Sequence, residues 1–551
     1  MAIRLAQAAP EAYTFPLLIK QLLHAPLASA SDQEIVYRDR VRYTYRDLRV
    51  RLGRLANVLT ELGVSPGTTV AVMDWDSHRY LECYFAIPML GAVLQTVNVR
   101  LSPQEILYTL QDAQAEVILV HRDFVPLLAA IRGHLAGLKA IVLMEDVPEP
   151  ALRPDWISGE YESMTASASA DYEFHDFDEN AVATLFHTTG TTGRPKGVCF
   201  SHRQIVLLAL AGMGALSSPA YGQAFRHGDV YMPMTPMFHV HAWGTPYMAT
   251  MMGLKQVYPG RYVAEELIAL RAREGVTFSH CVPTILQMLL RAAGAKDDLK
   301  GWKIVIGGSA LPPSLAEAAL GAGIDVFAGY GMSETGPTLT VARLRGPSLS
   351  ARAELAARCC AGIPIPLVDL KIQHGSGNSP DSDSGHSGEI VVRAPWATVG
   401  YVGNSEASAA LWKGGYLHTQ DIGNVDKSGQ LHITDRMKDI IKSGGEWISS
   451  AQLEDLIARH PGVAEVAVIG IPDQQWGERP LALVVPRSKD NPSLPEDLGR
   501  FVEAQVAAAA LSKYAIPDRV VLVDQLEKTS VGKINKRLLR ERYGVALPLA
   551  E

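Results

Sequence analysis

A chain of 551 residues exceeds the ~250–300 at which one hydrophobic core stops growing, so two or more domains are expected. Hydrophobic residues make up 47% and charged residues 20%, the balance of a globular protein rather than a disordered or fibrous one. A net charge of −7 excludes a dedicated nucleic-acid binder, which needs a basic footprint; anionic small molecules stay open, because a few lysines and backbone N–H groups hold a phosphate locally.

The opening run, MAIRLAQAAPEAYTF, is too short in apolar residues for a signal peptide and is broken by Pro10 and Glu11. Residues 45–62 place Leu48, Leu52, Leu55, Val58, Leu59 and Leu62 at three- and four-residue steps, predicting an amphipathic helix ended by Gly63. Pro66-Gly67 then turns the chain into a buried strand over 69–73. Helices are predicted over 78–90 and 103–112, followed by strands over 92–95 and 116–120. The alternation resumes past 180, with strands over 182–186, 275–278 and 302–307, and implies a doubly wound, mostly parallel α/β sheet. Residues 205–216 form the longest apolar run, about half of the ~20 residues that cross a bilayer, so a core helix is expected there and no transmembrane segment anywhere.

Residues 374–388 (HGSGNSPDSDSGHSG) are polar and turn-rich, and read as an exposed hairpin loop leading to a strand over 389–393. Further on come a helix over 452–460, strands over 463–470 and 482–485, and a helix over 495–511, the outline of a small α+β domain. The cysteines (Cys83, Cys199, Cys281, Cys359 and Cys360) are odd in number and lack CxxC spacing, so neither a disulfide framework nor a zinc site is expected; reduced thiols and a cytoplasmic location fit better.

The most informative segment is Thr188-Thr189-Gly190-Thr191-Thr192-Gly193-Arg194-Pro195-Lys196-Gly197. Two glycines three residues apart let the backbone turn its N–H groups toward an anion, and the threonine hydroxyls and Lys196 add donors for phosphate oxygens. It is not a Walker loop, which needs another glycine spacing. The segment resembles the phosphate loop of the adenylate-forming superfamily, which includes acyl-CoA synthetases, peptide-synthetase adenylation domains and beetle luciferases. His187 stands just before it, where that family usually has Tyr.

What the resemblance implies runs along nearly the whole chain, from about residue 30 to 540. Its fold is α/β, with a large N-terminal domain of doubly wound sheets plus a β-barrel-like subdomain (residues 1–436) and a small mobile α+β domain (residues 437–551). Tyr330-Gly331-Met332-Ser333-Glu334-Thr335, preceded by Gly329, is similar to the segment in which Tyr330 stacks on adenine, Ser333 reaches the α-phosphate and Glu334 helps hold Mg²⁺ with Thr188. Gly307-Gly308-Ser309-Ala310 resembles the loop packed against the adenine ring. Asp421 sits where the family binds both ribose hydroxyls, although Gln420 replaces the usual Gly; Arg436 would bond the ribose and Lys438 would be the hinge.

Lys442-Ser443-Gly444-Gly445-Glu446-Trp447 resembles the loop that lines the pantetheine tunnel after rotation, with Trp447 in place of the commoner Asn. Lys533, in a motif whose usual Pro is Glu527, would be the catalytic lysine. Met237-Phe238-His239-Val240-His241-Ala242-Trp243 is similar to bacterial medium- and long-chain fatty-acyl-CoA synthetases, with His239 near the substrate carboxylate and Trp243 as gate to the acyl tunnel.

The reaction so implied is ATP-dependent formation of an acyl-adenylate with release of pyrophosphate, then transfer to CoA, with Mg²⁺ as cofactor and a homodimer as the kin's assembly. Two alternatives share the first step: a luciferase-type oxidoreductase and a ligase loading a carrier-protein phosphopantetheine. Short-chain, methylthio-alkanoic and aryl acids stay open as substrates.

Overall fold

The computed structural model describes residues 3–150, 153–188, 194–219, 222–294, 296–344, 346, 349–374, 387–444, 446–488, 494–508, 513–529 and 533–544, apart from the side chains at 296, 297, 447, 507, 508 and 513. Among them, four sheets carry the fold.

The first sheet has seven strands. Gly159–Glu160, Ala140–Met144, Ala115–His121, Thr69–Met73, Val93–Thr96 and Val182–Thr188 run parallel in that spatial order, and Lys196–Ser201 closes the edge antiparallel. Thr69–Met73 and Ala140–Met144 are buried at every position, as apolar strands covered on both faces must be. The second sheet has nine strands, with a parallel centre (Asp325–Tyr330, Lys303–Ile306, Phe278–Cys281, Val230–Pro233, Lys255–Tyr258, Glu34–Tyr37) and antiparallel edges. One buried cluster runs through both sheets and the helices between them. Three covering helices have a sequence reason to start where they do: Thr44–Asp47, Ser102–Glu105 and Ser201–Gln204 form reciprocal capping boxes at the heads of Tyr45–Glu61, Pro103–Asp112 and His202–Ser217.

The third sheet is antiparallel and has its own small core; it comprises Asp369–Gln373, Gly388–Arg393, Trp412–Lys413, Tyr416–Val425 and Leu431–Arg436. The fourth belongs to the C-terminal unit. Val463–Asp473 and Gly477–Pro486 form its long central hairpin, flanked by Ile441–Ser443, Glu446–Ile448 and Arg519–Leu522. Helices Ser450–Ala458 and Leu494–Ala508 supply the core on one face, and Lys536–Tyr543 that on the other. The large α/β lobe and small α+β lobe expected from sequence are both present.

Several local expectations need correction. The strand expected over 275–278 is Phe278–Cys281, because Gly275, at φ +70°, still caps the helix Ala264–Glu274. Strand Lys196–Ser201 pairs antiparallel with Val182–Thr188, so an edge strand stands between the phosphate-loop segment and the helix His202–Ser217. The central hairpin of the small lobe outruns its apolar stretches because Arg479 pairs with Asp518 and the ladder continues through Pro472 and Pro480. Residues 374–388 do connect two antiparallel strands, Gln373 facing Glu389, as expected of a hairpin; 375–386 lie outside the described residues. Among the described residues no helix is long and apolar enough to cross a membrane.

Candidate active site

Between the two lobes lies a hollow lined by residues of both. Tyr330, Ser333, Gly308, His239 and Trp243 from the large lobe line it, and Lys533 enters from the small lobe. Residues almost 300 positions apart thus meet in one hollow.

Tyr330 ends the strand Asp325–Tyr330, and its hydroxyl donates to Asp421 Oδ2 at 2.8 Å. Asp421 and Arg436 are cross-strand partners, with Arg436 Nε 3.4 Å from Asp421 Oδ1. The three residues assigned to adenine and ribose are therefore neighbours. Burial pushes the Asp421 carboxyl up, against the opposing pull of Arg436, Tyr330 and Lys533. Gln420, inside the strand Tyr416–Val425 where the pairing register shifts, holds a left-handed backbone, φ +59°, that a glycine adopts freely.

Lys533 reaches into this hollow half-buried. Burial foremost, then the Arg436 guanidinium, pulls its ammonium down to about 8, while Asp421 and Glu334 pull the other way. His239 is pulled down to about 3, by burial first and then by Lys533, so it is a neutral hydrogen-bonding group at pH 7. Gly307 and Gly308 leave room for two side chains. A β-carbon on Gly307 would sit 2.8 Å from the Trp243 ring, and one on Gly308 3.3 Å from Lys533 Cε. Ser309 and Ala310 follow, exposed.

Trp243 closes an unusual turn in which Val240, His241, Ala242 and Trp243 all have φ between 45° and 60°, followed by Gly244 at 70°. Buried side chains pin the segment before it: Asp76 accepts from Met237 N–H at 2.8 Å, Tyr84 donates to the Met237 carbonyl, and Thr96 donates to the Phe238 carbonyl at 3.0 Å. Behind the indole stands His280, 5.0 Å away by ring centroid, whose Nε2 bonds the Tyr231 hydroxyl at 2.7 Å. Beyond it the cavity wall turns apolar, with Ala215, Leu216, Met248, Phe278 and Val341.

Glu334 lies in the short helix Ser333–Thr335, 8% exposed, and accepts from the Tyr401 hydroxyl at 2.7 Å. Thr188 ends its strand opposite Lys196, whose ammonium sits 4.7 Å from the centre of the Tyr401 ring. Thr189, Gly190, Thr191, Thr192 and Gly193 lie outside the described residues, as does Gly445.

The remaining expected residues are not gathered here. Lys438 is exposed in the turn after strand Leu431–Arg436. Lys442 and Glu446 are exposed on paired strands of the small lobe, and Trp447 pairs through its backbone, its side chain being outside the described set. Gly444, at φ +60°, faces Trp476 and Tyr514. Of the two loops expected to alternate at the site, the one carrying Lys533 occupies it in this structure. Sequence reasoning missed Tyr401, Asp76 and His280. Tyr401 is 67 positions from the carboxylate it touches, and no spacing signal links them.

An α/β scaffold whose inter-lobe hollow joins Tyr330, beside an Asp421–Arg436 pair, to a lysine from the second lobe fits a class of nucleotide-dependent, acid-activating enzymes. Residues 24–402 match the AMP-binding enzyme family and residues 452–533 its C-terminal domain; the chain belongs to this family. It is 41% identical over 511 residues to a long-chain-fatty-acid–CoA ligase of Thermus thermophilus, covering 91% of this chain and 90% of that one. A 3-methylmercaptopropionyl-CoA ligase of Ruegeria pomeroyi is 38% identical over 496 residues, covering 89% and 90%. Among solved structures, an anthranilate CoA ligase in complex with anthranoyl-AMP superposes with a TM-score of 0.82 at 26% identity, covering 96% of this chain and 98% of that one.

Proposed function

We propose that this enzyme is an AMP-forming acyl-CoA synthetase that activates a medium- or long-chain fatty acid. The observation that carries the reading is Lys533, half-buried in a hollow lined by Tyr330, with Asp421 and Arg436 beside Tyr330, and by Trp243 with the apolar residues Ala215, Leu216, Met248, Phe278 and Val341.

In the first half-reaction an ionised carboxylate attacks the α-phosphorus of ATP and pyrophosphate leaves. Two anions must approach, so the site's work is alignment and neutralisation, and no general base is needed for an acid already ionised at neutral pH. Asp421 and Arg436 hold the ribose, Tyr330 takes the adenine face, and Gly308, Ser309 and Ala310 border it. Ser333, Lys196 and the threonine-rich hairpin, Thr188 to Gly193, receive the phosphates. Lys533 places its charge between the carboxylate and the α-phosphate, and His239 donates a neutral hydrogen bond near the acid.

Glu334 and Thr188 fit Mg²⁺ in the manner of a nucleotide-borne ion. Among the described residues no group of three His, Cys, Asp or Glu could hold a metal unaided, whereas one buried carboxylate plus phosphate oxygens and water suits magnesium. When bound, the ion supplies charge neutralisation on the triphosphate.

The second half-reaction requires the thiol of CoA to reach the mixed anhydride that Lys533 covers. The domain boundary is placed between residues 436 and 437, where the last strand of the third sheet ends, and rotation about Lys438 exchanges Lys533 for the loop of Lys442, Gly444, Gly445, Glu446 and Trp447. The five cysteines form no disulfide, which suits the cytoplasm, and a homodimer is the proposed assembly, tested by light scattering. A second acid class has support from the Ruegeria relative, so short methylthio-alkanoic acids belong with the fatty acids in the test. The deciding experiment measures AMP production, with and without CoA, across short- to long-chain, methylthio and aryl acids. CoA-dependent turnover that peaks on an alkyl chain of six or more carbons is expected, on the order of 0.8 kcal/mol being gained per buried CH₂. Light emission or O₂ uptake in place of thioester would sink the reading.

A further inference from the structure

The stretch 398–402 lies between the two parts of the site that must meet on the triphosphate. On one side Thr398 N–H donates to the Glu334 carbonyl at 2.8 Å. On the other, Val402 N–H donates to the Gly197 carbonyl at 2.9 Å, and Tyr401 forms a β-bridge with Val198, on the returning strand of the phosphate hairpin. Tyr401 itself is fixed from behind, its N–H donating to Ser408 Oγ at 2.9 Å at the start of helix Ser405–Leu411. From this backbone the side chain reaches both ways. Its hydroxyl donates to Glu334 Oε1 at 2.7 Å, and its ring face carries the Lys196 ammonium 4.7 Å from the centroid.

A carboxylate oxygen held by a neutral donor keeps its charge and loses its freedom to swing, and its remaining lone pairs then point in a fixed direction. A cation over an aromatic face is likewise held without being neutralised by a counter-ion. Tyr401 therefore restrains the acidic and the basic partner of the phosphates while leaving both charges available. An Asp or Glu in its place would cancel Lys196, and an Arg or Lys would cancel Glu334.

We propose that Tyr401 is a positioning residue for adenylation, its hydroxyl orienting Glu334 and its ring seating Lys196 so that the metal-side and phosphate-side groups are set before ATP arrives. This rests on the reading of Glu334 as the magnesium carboxylate and of Lys196 as a phosphate donor. Tyr401 touches no reacting atom, and it has no part in thioester formation.

Two substitutions separate the two contacts. Tyr401→Phe keeps the ring and removes the donor; Tyr401→Gln keeps a donor and removes the ring. Each is assayed for the MgCl₂ concentration giving half-maximal pyrophosphate release, for ATP binding by calorimetry with and without MgCl₂, for thioester formation from preformed acyl-adenylate and CoA, and for melting temperature. The Phe variant should need about five- to tenfold more magnesium while binding metal-free ATP within about twofold of the parent, whereas the Gln variant should lose metal-free ATP affinity and keep the magnesium requirement. Both should convert preformed acyl-adenylate normally. The proposal is overturned if the Phe variant leaves the magnesium requirement unmoved, if the two variants behave alike, if both half-reactions fall together, or if both chains unfold. Glu334→Gln, measured alongside, keeps the two readings apart. If it leaves the magnesium requirement unchanged, the metal role of Glu334 fails; if it raises that requirement and Tyr401→Phe does not, only the positioning role fails.

Discussion

Lys533 Cε lies 3.3 Å from the point where a β-carbon on Gly308 would sit, so the catalytic lysine proposed from the end of the chain is seated on a glycine of the large lobe. Gly308 also has φ +77°, a conformation costly to any other residue. Gly308→Ala should displace the lysine and slow adenylation by tenfold or more, roughly 1.4 kcal/mol of barrier, while conversion of supplied acyl-adenylate stays within about twofold. Parallel assays of pyrophosphate release and thioester formation check this. Equal losses in both would mean that the residue supports the fold alone.

The Lys533 ammonium, lowered to about 8 mainly by burial, gives adenylation a pH signature. A cation whose value is depressed is charged below it and loses its proton as pH rises through it. In the free enzyme, kcat/KM for ATP should therefore fall above about pH 8, approaching tenfold per pH unit, and bound triphosphate should move the break upward. Lys533→Ala should abolish adenylation and remove this limb. Thioester formation from acyl-adenylate should persist, because the proposed rotation of the small lobe would by then have turned the residue away. A limb that survives in the Ala variant would assign the titration elsewhere.

How much of this was readable beforehand depends on whether a feature is local. The alternating helices and strands followed from apolar spacing, and Asp421 and Arg436, partners across one hairpin, from motifs that resemble the family's; the capping boxes at Thr44, Ser102 and Ser201 are just as local but went unread. Asp76 could not be found that way: it holds Met237 from 161 positions away, and nothing about one Asp after a strand announces it. The same holds for Tyr401 on Glu334. Strand ends were misjudged where a glycine cap, as at Gly275, or a polar hairpin end, as near Arg479, decided the boundary rather than apolar content.

Gln420 offers a test of a departure that lies in one residue. Its backbone is at φ +59°, its N–H donates to Glu389 Oε1 at 3.0 Å, and its carbonyl accepts from Met437 N–H at 2.8 Å, so this irregular point of the strand is held by contacts of its main chain that do not need its side chain. Gln420→Gly should keep full ribose recognition and raise stability by up to about 1 kcal/mol, the relieved left-handed strain exceeding the added freedom of the unfolded chain. Gln420→Val should lower it by at least as much, since a β-branched side chain tolerates that region worst. Denaturant midpoints, with the KM for ATP as control, decide between this account and one in which the glutamine itself touches nucleotide.

Gly212 and Met248 set one wall of the apolar end of the cavity, and they make its length adjustable. A β-carbon on Gly212 would lie 2.4 Å from Met248 Cε and 2.9 Å from its sulfur, so the thioether now fills the space the glycine leaves. Both residues line the cavity, and Met248 is the flexible partner. In Gly212→Ala the helix His202–Ser217 gains a better helix former while the Met248 side chain is pushed off it, and the open direction is the cavity. The acyl end should then shorten. Each CH₂ that no longer fits forfeits about 0.8 kcal/mol, close to fourfold in kcat/KM, so the preferred acid should lose one or two carbons with little change for the shortest acids. Combining it with Met248→Ala should restore or lengthen the preference. A chain-length profile that moves uniformly for all acids, or does not move at all, would show that the alkyl chain takes another route past Trp243.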